Sequence, residues 1–434
     1  LRRFVTLKPG GDSSSLTPQP EGSAMSVQFC KTCFYPSSSA APLTFDEKGM
    51  CSGCRVAGQT VDIDWDERWT MLEELVADYR NPKGYDCVIP VGGGKDSFYQ
   101  THLAVKKLGL RPLLVTYHGN NFLPEGEYNL QLMREAFDAD HIIYRPGLET
   151  LIKMNLLGFK LHGDMNWHNH AGIKTYPIRQ AVLHDIPLML WGDHGWVDLG
   201  GMFSYSDFPE FTAKTRKEHD LHGLDWDDFT DEGLERHGRP DLKMGLTEKE
   251  LSFAMYPSDE DIDRVGVRGV YLGFYEKWNG NKCAAVAEEE YGWKKAEYPF
   301  ERTYRKISNL DDMHENGIHD YLKFIKFGYG RATDHASQDV RLGVMDYKTG
   351  LEMVKKHDHV KPRRDLERWL KYVDMTEAEF DQICDTFRDP RVWRIENDQW
   401  VKDDVWGGAS SYGPVHLDKD DPRREQYMVK GVQV

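Results

Sequence analysis

Six consecutive residues, Gly92-Gly93-Gly94-Lys95-Asp96-Ser97, set three bare backbone units against a cation, an anion and a hydroxyl. The apolar run YDCVIPV (85–91) precedes them and SFYQTHLAVKKLG (97–109) follows. A strand that ends in glycines and turns into a helix presents backbone N–H groups and a helix N-terminus to an anion. Glycine lets the backbone approach phosphate oxygens and take positive φ. The chemistry this segment suits is therefore the grip of a nucleotide polyphosphate.

Three loop types compete for the segment. The G-x4-G-K-[ST] pattern fails, because Asp96 follows Gly94-Lys95 and Ile89 stands five residues before Gly94. The dinucleotide pattern G-x-G-x-x-G fails at Ser97, and no acidic residue ends the second strand at TYHGNN. The pyrophosphate loop S-G-G-x-D-S of ATP pyrophosphatases fits every position except the first, where Gly92 replaces Ser. That departure removes one hydroxyl contact and leaves the amide cradle. On this reading Gly92, Gly93 and Gly94 cradle ATP, Lys95 neutralises the leaving pyrophosphate, Asp96 holds Mg²⁺ and Ser97 donates to a phosphate oxygen. His118 and Asn120, after the second strand, are expected to line the nucleotide pocket.

A second pattern is Cys30-x2-Cys33, seventeen residues, then Cys51-x2-Cys54. Two such knuckles set four thiolates around a structural Zn²⁺, which would supply the folding energy of a segment too short for its own core. Cys87, Cys283 and Cys384 stand apart, which is not a secreted disulfide framework.

Other residues mark candidate contacts. WGDHGWVDLGG (191–201) follows a fourth strand, and ligands of parallel sheets bind at carboxyl ends of strands. Asp193 and His194 are thus expected to be catalytic, with Asp193 a second Mg²⁺ ligand. DMNWHNHAG (164–172) places His168 and His170 before a helix as expected substrate contacts, and GYGRATDHASQD (328–339) reads as a loop offering Arg331, Asp334 and His335 to substrate.

These residues need a scaffold to position them. Strand and helix signals alternate from residue 85 to about 200, which predicts a doubly wound parallel sheet with helices on both faces. VRGVYLGFYE (267–276) reads as one more strand, and the chain beyond 310 as largely helical. The expected division is a disordered Ser/Pro/Gly-rich leader (1–25, with Met25 a candidate start), a zinc ribbon (26–60), the nucleotide domain (61–210), a substrate-binding extension (211–360) and a C-terminal helical region and tail (361–434). Of the 434 residues, 40% are hydrophobic, enough for a sizeable core, and the net charge of −16 argues against nucleic acid as a partner. With no apolar run of membrane-spanning length and no signal pattern, the expected location is cytoplasmic.

Five motifs in order, CKTCFYP…TFDEKGMCSGCR, PVGGGKDSFYQ, NHAGIKTYPIRQAV, LMLWGDHGW and FGYGRATDHAS, resemble the N-acetyl sugar amidotransferase family of surface-polysaccharide and flagellin-glycan synthesis over roughly residues 28–360. The resemblance implies an adenine nucleotide alpha hydrolase-like fold. It also implies conversion of a sugar acetamido group to an acetamidino group, on a hexosamine or a nine-carbon sugar such as pseudaminic acid. ATP would adenylate the amide oxygen, and ammonia from a glutaminase subunit, delivered through a barrel-type partner, would displace AMP. A tRNA thiolase of the same loop type and a non-catalytic nucleotide-binding scaffold are the competing readings.

Overall fold

The computed structural model describes residues 27–119, 121–307 and 314–428. The expected leader and Asn120 lie outside them.

Five parallel strands form the central sheet: β1 (Cys87–Pro90), β2 (Pro112–Tyr117), β3 (His141–Tyr144), β4 (Leu188–Trp191) and β5 (Arg268–Tyr271), in the order β3-β2-β1-β4-β5. Every residue of β1, β2 and β4 is buried, as continuous apolar strands covered on both faces must be. Their side chains (Val88, Ile89, Leu113, Leu114, Val115, Met189 and Leu190) form the main core with Phe98, Met133, Ile178 and Ala181 from the covering helices. These belong to α3 (Lys95–His102), α4 (Pro124–Phe137) and α6 (Trp167–Leu183); α1 (Ser52–Gln59), α2 (Trp65–Ala77) and α5 (Leu148–His162) complete the first half.

The sheet order reverses between β1 and β4. From β1 the chain winds outward to β2 and β3, then returns to place β4 on the other side of β1. Such a reversal leaves a crevice beyond the carboxyl ends of the two diverging strands. The loop at 92–97 and the segment at 192–198 both open from that edge.

Two expectations about elements are corrected. α6 begins at Trp167, not Gly172, and runs through Pro177, so His168 and His170 sit on its first turns. The helical C-terminal region holds for Glu315–Phe327, Arg331–Arg341, Tyr347–His357, Arg363–Val373 and Glu377–Asp385. After it come three antiparallel strands, β6 (Arg394–Glu396), β7 (Gln399–Asp403) and β8 (Ala409–Pro414), where the expectation was only a helical region and tail. Trp393, Trp400 and Tyr427 close a small core there with Phe324. The strands are short and their outward positions polar, so their alternation is faint in the sequence.

Candidate functional site

The four cysteines converge as their spacing demands. Sγ atoms lie 3.8 Å apart for Cys30–Cys54 and 3.7 Å for Cys33–Cys51. A regular tetrahedron with metal–sulfur bonds of about 2.3 Å has edges of about 3.75 Å, whereas a disulfide closes to about 2.05 Å. The geometry is that of a four-thiolate metal site, compatible with structural zinc. Backbone N–H groups of Thr32 and Cys51 donate to Cys30 Sγ, at 3.4 and 3.3 Å, and that of Cys54 donates to Cys51 Sγ at 3.4 Å. The Arg341 guanidinium reaches Cys33 Sγ at 3.4 Å and donates to the carbonyls of Asp198 and Leu199 at 2.7 and 3.0 Å.

The ribbon is not a separate bead. Ser52 Oγ donates to the Gly200 carbonyl (2.6 Å), Ser337 Oγ to the Cys33 carbonyl (2.8 Å), and Tyr35 Oη to Asp334 (2.7 Å). Gly201, at φ +60°, passes so close that a Cβ would stand 2.6 Å from the backbone of Ser52. The ribbon thereby roofs the crevice at the switch point.

Beneath this roof is a cleft of about 400 Å³. Asp96 enters it from the β1 loop, Asp193 and Asp198 from beyond β4, Lys277 to Asn281 from beyond β5, and Arg305, Gln338 and Arg341 from the C-terminal region. Gly53, Cys54 and Ala57 form the ribbon wall. The volume is in the range of small-molecule sites.

The glycine loop is built for close approach. Gly93 has φ +84°, and a Cβ there would lie 2.8 Å from the backbone nitrogen of Leu130. Its carbonyl accepts from Trp293 Nε1 at 3.0 Å. Gly94 precedes α3 without a side-chain cap, which leaves the first-turn N–H groups to a ligand. Ser97 Oγ accepts from Gly92 N–H at 2.9 Å, so the hydroxyl clamps the loop on itself and keeps its own hydrogen to donate. Lys95 is buried, with Nζ 2.6 Å from Asp96 Oδ2, and Trp278 Nε1 donates to Asp96 Oδ1 at 3.0 Å.

Asp193 is the most perturbed acid of the cleft. Burial, and next the charge of Asp198, push its carboxyl up to about 8. Burial likewise raises Asp198, whose carboxylate accepts from Gln338. Asp96, Asp193 and Asp198 line the cleft together with Arg305, Arg341 and Lys277, which sets three carboxyl groups against three cations. Trp278, Asp198, Gln338 and Arg341 escaped the sequence reading. The WNG turn beyond the fifth strand was a signal, as was the helical spacing of Asp334, Gln338 and Arg341 on one face.

Several expected contacts take other roles. His194 turns away from Asp193 into an aromatic pocket, with its ring 4.3 Å from that of Tyr271 and near Phe203 and Phe274, and burial lowers it to about 4. His168 is a core residue, with Nδ1 on Tyr117 Oη (3.0 Å) and Nε2 on Asn155 Nδ2 (3.1 Å), which leaves neither nitrogen for substrate. His118 bonds Glu127 at 2.9 Å and stacks on Phe122. Arg331 and Asp334 open a helix, not a loop, and lie in a buried ion network. Arg331 pairs with Asp320 (2.7 Å) and Asp334 (3.3 Å), while Arg302 also holds Asp320 and Lys323 also holds Asp334. His335 Nδ1 meets Thr303 Oγ1 at 2.7 Å, while its Nε2 is buried without a hydrogen-bond partner. His170 lies with Asp164 and His319 in a second group of metal-type ligands outside the cleft lining.

Residues 294–404, about a quarter of the chain, match the family model of LPS biosynthesis protein WbpG-like, C-terminal domain. No curated protein matches the chain. The matched segment begins one residue after Trp293, which grips the glycine loop, and it carries Arg305, Gln338 and Arg341 of the cleft. The match supports a role in polysaccharide biosynthesis. Among the described residues no helix is long and apolar enough to cross a membrane.

Proposed function

We propose that the chain is an ATP-dependent, AMP-forming amidotransferase that converts the acetamido group of an N-acetylated sugar to an acetamidino group in surface-polysaccharide or flagellin-glycan synthesis. One observation carries the reading: the glycine loop sends Asp96 into the switch-point cleft opposite Asp193, in a chain whose C-terminal part matches an LPS biosynthesis family.

An amide oxygen is a poor leaving group, and adenylation remedies that. The oxygen attacks the α-phosphorus of ATP, the bond to the β-phosphate oxygen breaks, and pyrophosphate leaves. Loss of the amide proton gives the O-adenylyl imidate. Ammonia then adds to the imidate carbon, the carbon–oxygen bond breaks, AMP departs and the amidine remains. The first-turn N–H groups of α3 and Lys95 hold the departing pyrophosphate, and Asp96 and Asp193 would hold the cation that accompanies the triphosphate; positioning and charge neutralisation supply most of the rate. Bound Mg²⁺ would neutralise phosphate charge at these carboxylates.

Ammonia comes from a partner glutaminase through a barrel-type subunit. All seven cysteines are buried, and burial raises the Cys87, Cys283 and Cys384 thiols above their ordinary range. Cys54 reaches the cleft wall but belongs to the four-thiolate set, and the other six are closed off from it, so none serves as the nucleophile for glutamine hydrolysis or for the sulfur transfer of a thiolase.

The test is turnover of ATP with a panel of N-acetylated sugars and ammonium. AMP, pyrophosphate and a product one mass unit lighter, as O is exchanged for NH, are expected, and Asp96→Ala removes them with the fold intact. ADP and phosphate, or no sugar-dependent turnover, would overturn the reading.

A further inference from the structure

One ligand atom from each of Asp164, His170 and His319 lies within 4.8 Å of the other two. They come from three places in the fold: the turn between α5 and α6, the start of α6, and the helix Glu315–Phe327. None belongs to the four-cysteine cluster or lines the cleft. We propose that this triad is a second metal site, which takes a divalent first-row transition ion of the zinc type and leaves coordination positions open.

The donor set decides the class of ion. Two imidazoles and one carboxylate suit Zn²⁺, Co²⁺ or Fe²⁺, whereas Mg²⁺ and Ca²⁺ prefer oxygen throughout. Four protein thiolates close a shell, as in the ribbon; three ligands leave room for water or a substrate oxygen.

The surroundings hold the ligands in place. Asp164 Oδ1 accepts from the Asn166 backbone N–H at 2.9 Å and meets His319 Nδ1 at 2.9 Å. Asn166 in turn bonds Asn169 and Asn316, both at 3.1 Å, which ties the start of α6 to the helix that bears His319. Outer contacts of this kind fix ligand orientation at metal centres.

A hydrogen-bonded Asp–His pair alone does not account for what else is gathered here. The His170 ring lies 5.7 Å from that of His319 and makes no hydrogen bond among the described residues. His162 and His222 face each other at 4.9 Å beside the triad, and His162 Nε2 is buried with no hydrogen-bond partner. Lys326 and Asp220 are the other charged groups that face the cluster. Even with Lys326 facing the cluster, four imidazoles with the Asp164 and Asp220 carboxylates supply more lone pairs than there are donors, and a divalent cation resolves that excess.

The proposal does not depend on the reaction assigned to the cleft. Its test is a metal count on the full chain, stripped with a chelator and titrated with Co²⁺ while excess Mg²⁺ occupies oxygen-only sites. Wild type should take up two equivalents. One gives the intense thiolate-to-cobalt absorption of the ribbon, and the other gives only weak bands of nitrogen and oxygen ligation. His170→Ala/His319→Ala should keep the thiolate band and lose the second equivalent. A single equivalent in wild type, or two in the double variant, would overturn the site. Should the double variant lose the thiolate band and so fail to fold, His170→Gln, at a partly exposed position, is titrated instead. It should weaken the second equivalent by about tenfold or more, and unchanged affinity would count against the proposal.

Discussion

At the scale of single residues, Asp193 and Gly93 show how the site uses unfavourable local states. The Asp193 carboxyl is raised to about 8, against an ordinary value of about 3.9 for the unfolded chain. Between those values the folded state holds a proton that the unfolded state does not, so stability falls as pH rises through that window. Asp193→Asn removes this contribution. Thermal melts at pH 5 and pH 9 should show a shallower alkaline decline for the variant, by an amount on the order of a few kcal/mol at most. Nucleotide turnover should be lost at both pH values. Gly93→Ala places a methyl against the Leu130 backbone at positive φ. About 1–3 kcal/mol of strain and a collapse of ATP affinity are expected, read by urea titration and by nucleotide binding. Both residues sit within motifs visible in the sequence. The sequence could not show that Asp193 faces Asp96 while its neighbour His194 faces Tyr271, because that depends on how the turn after β4 meets β5 and the ribbon.

At the scale of elements, the ribbon and the helix Arg331–Arg341 act together. The two cysteine knuckles are legible because ligand spacing is a local property. Arg341 is not legible, because its value lies in spanning Cys33, Cys51 and the carbonyls of Asp198 and Leu199. Burial works against its charge, and the nearby thiolates more than offset that, which holds the guanidinium firmly protonated. Arg341→Ala should weaken zinc retention by about 10–100-fold, measured by chelator competition. Stripping the metal from wild type should abolish nucleotide binding as well, since α1 forms one wall of the cleft. Binding that survived complete zinc removal would separate the ribbon from the site.

For the whole molecule, the buried network of Arg302, Asp320, Arg331, Asp334 and Lys323 joins the helix pair 315–341 to the ribbon through Tyr35. Burial alone would raise Asp320; the Arg331 and Arg302 guanidiniums outweigh it and hold the carboxyl well below the usual range. A depressed carboxylate contributes stability above about pH 4 and loses it as pH falls further. Asp320→Asn strands the buried Arg302 and leaves Arg331 with Asp334 alone, and it should cost about 3–5 kcal/mol, seen as a lower urea midpoint at pH 7 and a weaker loss of stability on acidification than in wild type.

Local features were legible in the chain: a glycine loop between strand and helix, a pair of cysteine knuckles, and an alternation of strand and helix that implies a wound parallel sheet. Each follows from backbone conformation or ligand spacing within a few dozen residues. Which side chains share a cavity was settled by long-range packing. It took Arg331 and Asp334 from the substrate and gave them to an ion network, and it withdrew His168 and His194 into packing. It also set Arg341 beside thiolates from far earlier in the chain and drew His319 to Asp164. Such pairings depend on the packing of distant elements, and no short-range pattern in the chain encodes them.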